Sequence, residues 1–343
     1  MSNAATTRII IGNGQPGRCE PGPYTTDSLI AEPFGLVFGP DQRLYFCDLG
    51  NHRICALDLA ARQLQVIAGN GIAGHDGDGG PATQACLTEP YELRFDAAGN
   101  LYFVDMQAHV IRKIDAHGSI STIAGSGTRG FSGDGGPAAQ ASFDAPHAIE
   151  LSPDDKTLYV ADIGNHRLRG IELSTGTINT LAGTGEQAPI RDTSDLAHLP
   201  LNGPRTLAFG SRGEVFLALR EGNAIYRLDL AARSCTHLAG NGKFGYRGDG
   251  GPAVEARLAG PKGIAANATT VYIADTESHT VRAIDLGDGT ISTVLGSGEQ
   301  GFVNTQIPHL CALARPHGVC LDAQGRLYVG DSDNHCIRVL EKP

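Results

Sequence analysis

The sequence lacks the features that would indicate a membrane-spanning or nucleic-acid-binding protein. Its 343 residues include no tryptophan and no uninterrupted apolar run of about 18 residues, the length that a membrane-spanning helix needs. Basic side chains are also in deficit: 27 Lys and Arg stand against 37 Asp and Glu, and the formal net charge of −10 repels phosphate backbones and anionic lipid surfaces. We therefore expect neither a nucleic acid nor a membrane as the main partner.

The eight cysteines form no Cys-x-x-Cys motif and have no regular spacing. Cys47 and Cys320 lie in apolar, strand-like runs, which favours buried thiols over disulfides and suits a reducing compartment. The first residues contain no apolar stretch of the kind that a secretory signal has. The expected location is therefore the cytoplasm.

The chain is rich in glycine, with 46 residues, and 41% of its residues are apolar, which is enough for a full core. Because this glycine follows no Gly-X-Y period, it indicates many tight turns. One unit recurs six times at intervals of about 57 residues, as in a repeat protein, and each copy is marked by a proline before an apolar strand. We predict one repeat domain over residues 1–343, with the marker prolines Pro33, Pro90, Pro146, Pro204, Pro261 and Pro316.

Each unit is predicted to form four strands, because apolar residues recur with a period near two and turn residues interrupt them. In the first copy the predicted strands are 35–38, 44–47, 53–58 and 64–68. Four antiparallel strands per repeat, without intervening helices, are typical of a propeller blade. The sixth copy lacks a fourth strand at the C-terminal end, and a matching segment occurs at residues 8–14. The sequence therefore predicts an all-β, six-bladed β-propeller in which the N-terminal strand completes the last blade.

Three copies carry a turn sequence that resembles the NHL repeat, at residues 51–54, 165–168 and 334–337. The resemblance extends over essentially the whole chain and implies a six-bladed propeller. It says little about function, since proteins with these repeats include enzymes, sensor domains and scaffolds.

Polar residues that recur in most blades are interpreted as scaffold. Five blades place an Asp and a His four residues apart across the turn between the second and third strands, as in Asp48 and His52, whereas the fourth has Leu219 and Asn223. Because both members are lost together, we expect each pair to be mutually hydrogen-bonded. An arginine three residues after the histidine is expected to brace neighbouring blades, at Arg112, Arg169, Arg282 and Arg338.

Three loops share the sequence Gly-Asp-Gly-Gly-Pro-Ala, at residues 77–82, 133–138 and 248–253. They resemble part of a calcium loop but lack the distal Glu of an EF-hand, so a short helical turn beginning at the proline is favoured over calcium. No Gly-Lys-Ser/Thr motif follows any of them, and no nucleotide cofactor is expected.

Function is sought where equivalent positions differ, since shared positions build the scaffold. The first strand of a blade lines the central channel, so the residue after each marker proline is expected at the channel mouth. A purely structural reading stays open, because channel mouths are wet and tolerate polar residues. The six positions hold five different side chains: Phe34, Tyr91, His147, Arg205, Lys262 and His317.

His147 and His317 belong to opposite blades, and two neutral imidazoles converging there would bind a divalent metal. A third ligand would come from a loop histidine, His75, His198 or His309.

This rim is similar to that of the peptidyl-hydroxyglycine amidating lyase, an NHL-type propeller in which histidines hold zinc at the channel mouth. That resemblance implies zinc on His147 and His317, assisted by Arg205 and Tyr91. That lyase acts on secreted peptides, so its substrate is not expected to be the substrate of this chain. Gluconolactonase-like propellers are a looser comparison, since their Glu-Gly-Pro ligand motif is not present here.

The leading hypothesis is a small-molecule lyase or hydrolase assisted by a divalent metal, zinc before calcium, with its site at the channel mouth. Tyr91, Arg205 and Lys262 are the predicted catalytic residues, with Tyr91 as general acid or base and the two cations as anchors for an anionic substrate. Phe34 and Arg220 are predicted to contact that substrate. The alternative is a non-catalytic binding or scaffold propeller that holds a protein or a ligand.

Overall fold

A computed structural model describes residues 5–188 and 195–341, in which 25 strands form six antiparallel sheets. β1 (Thr6–Ile11) and the short β2 (Gly22–Pro23) precede the first repeat. Blade 1 contains β3 (Pro33–Phe38), β4 (Leu44–Asp48), β5 (Arg53–Asp58) and β6 (Gln63–Ala68). Blade 2 contains β7 (Pro90–Phe95), β8 (Leu101–Asp105), β9 (Val110–Ile114) and β10 (Ile120–Ala124). Blade 3 contains β11 (Pro146–Leu151), β12 (Thr157–Asp162), β13 (Arg167–Glu172) and β14 (Thr177–Ala182).

The second half of the chain repeats this arrangement. Blade 4 contains β15 (Pro204–Phe209), β16 (Val215–Leu219), β17 (Ala224–Asp229) and β18 (Ser234–Ala239). Blade 5 contains β19 (Pro261–Ala266), β20 (Thr270–Asp275), β21 (Thr280–Asp285) and β22 (Ile291–Leu295). Blade 6 contains β23 (Pro316–Leu321), β24 (Leu327–Asp331) and β25 (Cys336–Glu341). Three-residue 3₁₀ helices lie in the turns, at Leu49–Asn51, Ala82–Gln84, Ala138–Gln140, Ile163–Asn165, Leu196–His198, Ala253–Glu255, Thr276–Ser278, Pro308–Leu310 and Ser332–Asn334.

The N-terminal strand closes the propeller, as predicted. β1 pairs antiparallel with β25, with Arg8 opposite Val339, and the sheet order is β1-β25-β24-β23. β2 adds a fifth strand to the outer edge of blade 1, which the sequence did not reveal. The all-β, six-bladed architecture predicted from the repeat is confirmed.

The first strands of the blades pack side by side around the axis, and the core fills the spaces between blades. Between blades 1 and 2, for example, the rings of Tyr45 and Phe95 meet edge to face with centroids 4.7 Å apart. The inner strands approach closely: a Cβ on Gly263 would lie 2.0 Å from the carbonyl oxygen of His317, so only glycine fits there.

The repeated Asp and His residues are structural, but the expectation that they bond to each other is wrong. The buried Asp48 accepts the Ala31 backbone N–H at 2.8 Å and pairs with Arg53 at 2.6 Å, all within blade 1. The histidines instead reach the next blade, because they adopt the left-handed conformation at the end of a 3₁₀ turn. His109, with φ of 56°, accepts the Ala145 N–H at 3.0 Å.

Blade 4 lacks the repeated Asp, His and Arg and so shows which of these residues depend on each other. Asn223 accepts the Gly260 N–H at 3.0 Å and so preserves the bond between blades that a histidine makes elsewhere. Leu219 and Tyr226 take the places of the Asp and the Arg of blades 2, 3, 5 and 6 and pack in one apolar cluster. Asp and Arg are therefore the pair that is lost together, because either charge alone would be buried without compensation.

The Gly-Asp-Gly-Gly-Pro-Ala loops hold the fully buried arginines in place. Asp78 accepts the Arg112 guanidinium at 2.7 Å and the Thr122 N–H at 2.8 Å. The short helical turn expected after the proline is present at Ala82–Gln84. The oxygens of this aspartate are thus committed to protein donors. Equivalent ion pairs join Asp134 to Arg169 and Asp249 to Arg282.

All eight cysteines are free thiols and six of them are buried, as the sequence predicted. None of the helices within residues 5–188 and 195–341 has the length and apolar character to cross a bilayer.

Candidate functional site

The six residues that follow the marker prolines line one cavity of about 510 Å³, which we call the mouth pocket. Their contacts link them around the channel axis. The Phe34 ring lies between the rings of Tyr91 and His317, with centroid distances of 4.6 and 4.0 Å. The set consists of Phe34, Tyr91, His147, Arg205, Lys262 and His317, and Arg220 joins it at the rim. The structure therefore brings together all seven residues of the predicted site.

A repeated irregularity of the backbone explains why these positions converge. In blade 3, Pro146 pairs with Asp162 and Ala148 with Ala161, so His147 is an extra residue in the first strand. The same register shift follows the marker proline in the other five blades. A β-bulge turns its extra side chain away from the ladder, here toward the axis.

Arg205 and Tyr91 form one side of the pocket. The Arg205 guanidinium lies 4.6 Å from the centre of the Tyr91 ring and donates to its hydroxyl at 2.7 Å. Burial raises the pKa of Tyr91 although Arg205 opposes the shift, so the phenol keeps its proton at neutral pH. Arg205 is only 4% exposed, and within the described residues no carboxylate forms a salt bridge with it. It is a buried cation whose bonded partner is neutral.

Lys262 and His317 form the other side. The Lys262 Nζ donates to His317 Nε2 at 2.9 Å, because His317 Nδ1 donates its proton to the Arg315 carbonyl at 2.8 Å. Glu277 lies 3.4 Å from the same Nζ. Burial and the nearby arginines lower the pKa of Lys262 to about 7, and burial and Lys262 lower the pKa of His317 well below its usual value. At neutral pH the imidazole is neutral and the amine titrates.

Two further arginines lie at the pocket rim. Arg220 pairs with Glu221 at 2.6 Å, and Arg315 makes two bonds to Glu277, each 3.2 Å long. Arg315 precedes a marker proline and has a φ of 47°, a left-handed conformation that its N–H bond to His279 Nδ1 supports. Sequence reasoning missed Arg315, Glu221 and Glu277. The residue before each marker proline was the available signal for Arg315, since it differs among blades just as the residue after it does.

His166 also lines the mouth pocket, although the sequence placed it with the scaffold histidines. His166 has both roles. Its Nδ1 accepts the Gly203 N–H at 3.3 Å, as a scaffold histidine does, while its Nε2 contacts the Gln187 side-chain amide at 2.9 Å in the pocket.

The histidines meet one requirement of a metal site and fail two others. His147 donates its Nδ1 proton to the Ala145 carbonyl at 2.6 Å, which leaves Nε2 as a free acceptor, the usual state of a metal ligand. However, the His317 acceptor already faces the Lys262 amine, and guanidinium groups surround both rings. Residues 5–188 and 195–341 contain no group of three or more His, Cys, Asp or Glu arranged to hold an ion.

The candidate third ligands lie elsewhere. His75, His198 and His309 are all exposed, His198 bonds to Asp195 at 2.7 Å, and none of the three lines the mouth pocket. In this geometry the side chains do not fit a divalent cation. Zinc or calcium binding at His147 and His317 stays a prediction.

The arrangement favours an anion instead. Four cationic side chains face the pocket, and its carboxylates are already engaged in ion pairs at the rim. Tyr91 can donate a proton and His317 Nε2 can accept one, on two sides of the Phe34 ring. The site can therefore hold a negatively charged group beside a proton donor and a proton acceptor.

Comparisons with known proteins agree with the repeat. The NHL repeat family model matches residues 313–340, and the Teneurin NHL domain model matches residues 60–130 and 241–311. Protein SUPPRESSOR OF QUENCHING 1, chloroplastic, of Arabidopsis thaliana is 29% identical over 78% of this chain and 26% of its own length. NHL repeat-containing protein 2 of Gallus gallus is 26% identical over 88% of this chain and 45% of its own length. The chain thus spans less than half the length of these two relatives.

Solved structures share the fold at low sequence identity. An auxiliary nutrient binding protein from Bacteroides thetaiotaomicron superimposes with a TM-score of 0.71 at 14% identity, covering 98% of this chain and 76% of that one. A gluconolactonase from Xanthomonas campestris gives 0.59 at 14% identity, with 97% and 98% covered. Virginiamycin B lyase from Staphylococcus aureus gives 0.58 at 14% identity, with 94% and 99% covered. Six closed four-stranded blades and the matching repeat models identify the chain as an NHL-repeat six-bladed β-propeller.

Proposed function

We propose that this protein is a small-molecule lyase or hydrolase that takes an anionic substrate in the mouth pocket. The observation that carries the proposal is Arg205, a guanidinium that is 4% exposed and has no carboxylate partner within the described residues. Glu92 and Glu221 support this charge, but neither forms a salt bridge with it. Burying a charge without a bonded counterion costs several kcal/mol, and an anionic group of a ligand would offset that cost. A carboxylate also matches the two parallel N–H groups of a guanidinium.

The chemistry proposed for the pocket is proton transfer. Tyr91 is the general acid, because burial keeps its hydroxyl protonated and Arg205 occupies only its acceptor side. His317 is the general base, because its Nε2 lone pair faces the Lys262 amine and would accept a substrate proton relayed through that amine. An acid and a base on two sides of a bound anion would serve elimination or the hydrolysis of an ester or lactone.

The fold is compatible with such chemistry but does not assign it. Virginiamycin B lyase and a gluconolactonase have the same architecture, and both are enzymes by name. The proposal needs no metal: Arg205 supplies the electrostatic stabilisation, and the donor set at His147 and His317 enters none of its steps.

The first test is anion binding. We would titrate purified protein with L-lactate, pyruvate and inorganic phosphate and follow its thermal unfolding. At least one anion should raise Tm saturably in the wild type, as expected for a ligand that binds only the folded state. Arg205→Met should abolish the shift, whereas Arg8→Gln, at an exposed arginine paired with Glu341, should not. If all three anions leave Tm unchanged, or if Arg205→Met responds like the wild type, the proposal is wrong.

The second candidate function is binding without catalysis. It is favoured by the size of the relatives, since this chain spans only part of them, and by the nutrient binding protein that shares the fold. Lactones and β-substituted carboxylic acids would separate the two functions. Turnover that falls in Tyr91→Phe at unchanged affinity supports the enzyme, and Arg205-dependent binding with no turnover of either class supports the binding protein.

A further inference from the structure

The Lys262 amine combines features that the proposed function uses only in part. It lies inside an open cavity, yet its side chain is 5% exposed. Its hydrogen bond to His317 Nε2 at 2.9 Å holds the Nζ beside a proton acceptor. Arg205, the guanidinium without a carboxylate partner, lines the same cavity. A nucleophile, a base and an anion anchor thus share one small space.

We propose that Lys262 is a nucleophile that forms an imine with an anionic carbonyl compound of the 2-oxo acid class. The proposal rests on the proposed function, since it uses the same pocket and the same anion anchor. The carboxylate of the oxo acid would bind Arg205, and its carbonyl carbon would lie within reach of Nζ.

The surroundings of Lys262 favour the uncharged amine that a nucleophile requires. Arg205, Arg315 and Arg220 disfavour the ammonium, and Glu277 at 3.4 Å supports it. Burial acts in the same direction as the arginines, because an enclosed ammonium loses its hydration. Glu277 is shared with Arg315, which makes two bonds to it and weakens its hold on Lys262.

The reaction balances without an oxidant or reductant. The Nζ lone pair attacks the carbonyl carbon, the carbonyl π electrons move to oxygen, and an Nζ proton passes to His317 Nε2. The Tyr91 hydroxyl protonates the resulting alkoxide. His317 then gives its proton to that hydroxyl, which leaves as water while the C=N bond forms, and the second Nζ proton passes back to Tyr91. One amine and one carbonyl compound yield one imine and one water. An imine at this carbon withdraws electrons and promotes loss of a neighbouring group, which is lyase chemistry.

Reductive trapping tests the proposal on the intact protein. Wild type would be incubated separately with glyoxylate, pyruvate and 2-oxoglutarate in the presence of sodium cyanoborohydride, digested, and mapped by mass spectrometry. At least one oxo acid should modify the Lys262 peptide about tenfold faster than the peptides with Lys113, Lys156 or Lys243, a preference that corresponds to about 1.4 kcal/mol. Equal modification of all these lysines, or none at Lys262 with any of the three acids, would overturn the proposal.

Matched variants add independent evidence. Lys262→Arg should lose the modification, whereas Lys156→Arg, at an exposed lysine, should leave it unchanged. His317→Gln should slow the trapping while leaving the lysine in place. If Lys262→Arg does not fold, the peptide map of the wild type still decides the question.

The design separates the two proposals by using L-lactate, which has the carboxylate of pyruvate but no carbonyl group next to it. Stabilisation by lactate that depends on Arg205, without trapping at Lys262, refutes the imine and leaves the anion-binding function standing. Absence of stabilisation by either acid and absence of trapping refute both.

Discussion

The buried ion pair of blade 6 gives the sharpest test of how the scaffold is held together. Asp331 and Arg338 are both fully buried, and Arg338 Nε donates to Asp331 Oδ2 at 2.8 Å. Arg338→Met would keep an apolar stem but remove the guanidinium, whose carbon lies 5.6 Å from the centre of the Phe302 ring. Because the carboxylate would then be buried without its counterion, we expect the free energy of unfolding to fall by about 3–5 kcal/mol at pH 8.

The pH dependence distinguishes lost charge compensation from lost packing. Burial already raises the pKa of Asp331 above 3.8, although Arg338 opposes that shift, and removal of Arg338 raises it further. A folded-state pKa above the unfolded value means that the native state binds this proton more tightly. The stability gained from that proton is present at low pH and is lost as the pH rises from 3.8 through the folded pKa.

Urea unfolding of wild type and Arg338→Met at pH 5 and pH 8 measures this. We expect the variant's deficit to be larger at pH 8 by about 2 kcal/mol, because each unit of pKa difference between the folded and unfolded states is worth about 1.4 kcal/mol. Arg112→Met is the matched control, since Arg112 lies 3.9 Å from Asp105 and donates instead to Asp78 and to two backbone carbonyls, so its deficit should vary less with pH. A deficit that is the same at both pH values, or smaller than about 1 kcal/mol, would refute the reasoning.

Three other predictions concern the bond between blades 4 and 5, closure of the propeller by β1, and the metal site. Asn223→Leu leaves the Gly260 N–H without its acceptor and should lower the free energy of unfolding by about 1–3 kcal/mol, whereas Asn223→His should be near neutral; urea unfolding measures both. Deletion of residues 1–11 removes β1 from the last sheet and should lower Tm and expose the β25 edge to limited proteolysis, and an unchanged Tm would contradict closure by this strand. Treatment with EDTA should leave anion binding and Tm unchanged, whereas zinc measured by plasma mass spectrometry that disappears in His147→Ala would support the metal site predicted from the sequence.

Repetition explains why so much of the fold could be predicted. A blade needs four strands of period two and specific turn residues, so six copies of the same pattern supply the evidence six times. The same logic led to the predicted site, because the six equivalent positions with five different side chains stand out against the shared scaffold positions. The bulge that follows each marker proline places those side chains on the axis, and its cause is a backbone register that periodicity does not record.

The interactions between residues were harder to predict than their positions. A four-residue spacing suggested that Asp48 and His52 bond to each other, but a histidine in the left-handed conformation faces the next blade. Arg315 was missed for a similar reason, since its orientation depends on a positive φ that sequence pattern does not specify. Spacing along the chain predicts which residues share a face, and backbone conformation decides which of them meet.

The net charge of the chain bears on large partners that cover much of its surface. A small ligand of the mouth pocket depends on the charges inside that pocket instead. The chain carries a formal charge of −10, which argues against a polyanionic partner that must approach over a large area. A small anion inside the mouth pocket experiences an electrostatic field that differs from the field over the whole surface. Within the pocket it faces Arg205, Arg220, Lys262 and Arg315, of which Arg205 has no carboxylate partner in the described part of the chain. Because low-dielectric walls strengthen these charges locally, an acidic protein can bind an anion at a place where several of its cations converge. The salt dependence of lactate binding should therefore be that of a local ion pair, a modest weakening with added salt, and affinity that rises with ionic strength would show that the overall charge controls access.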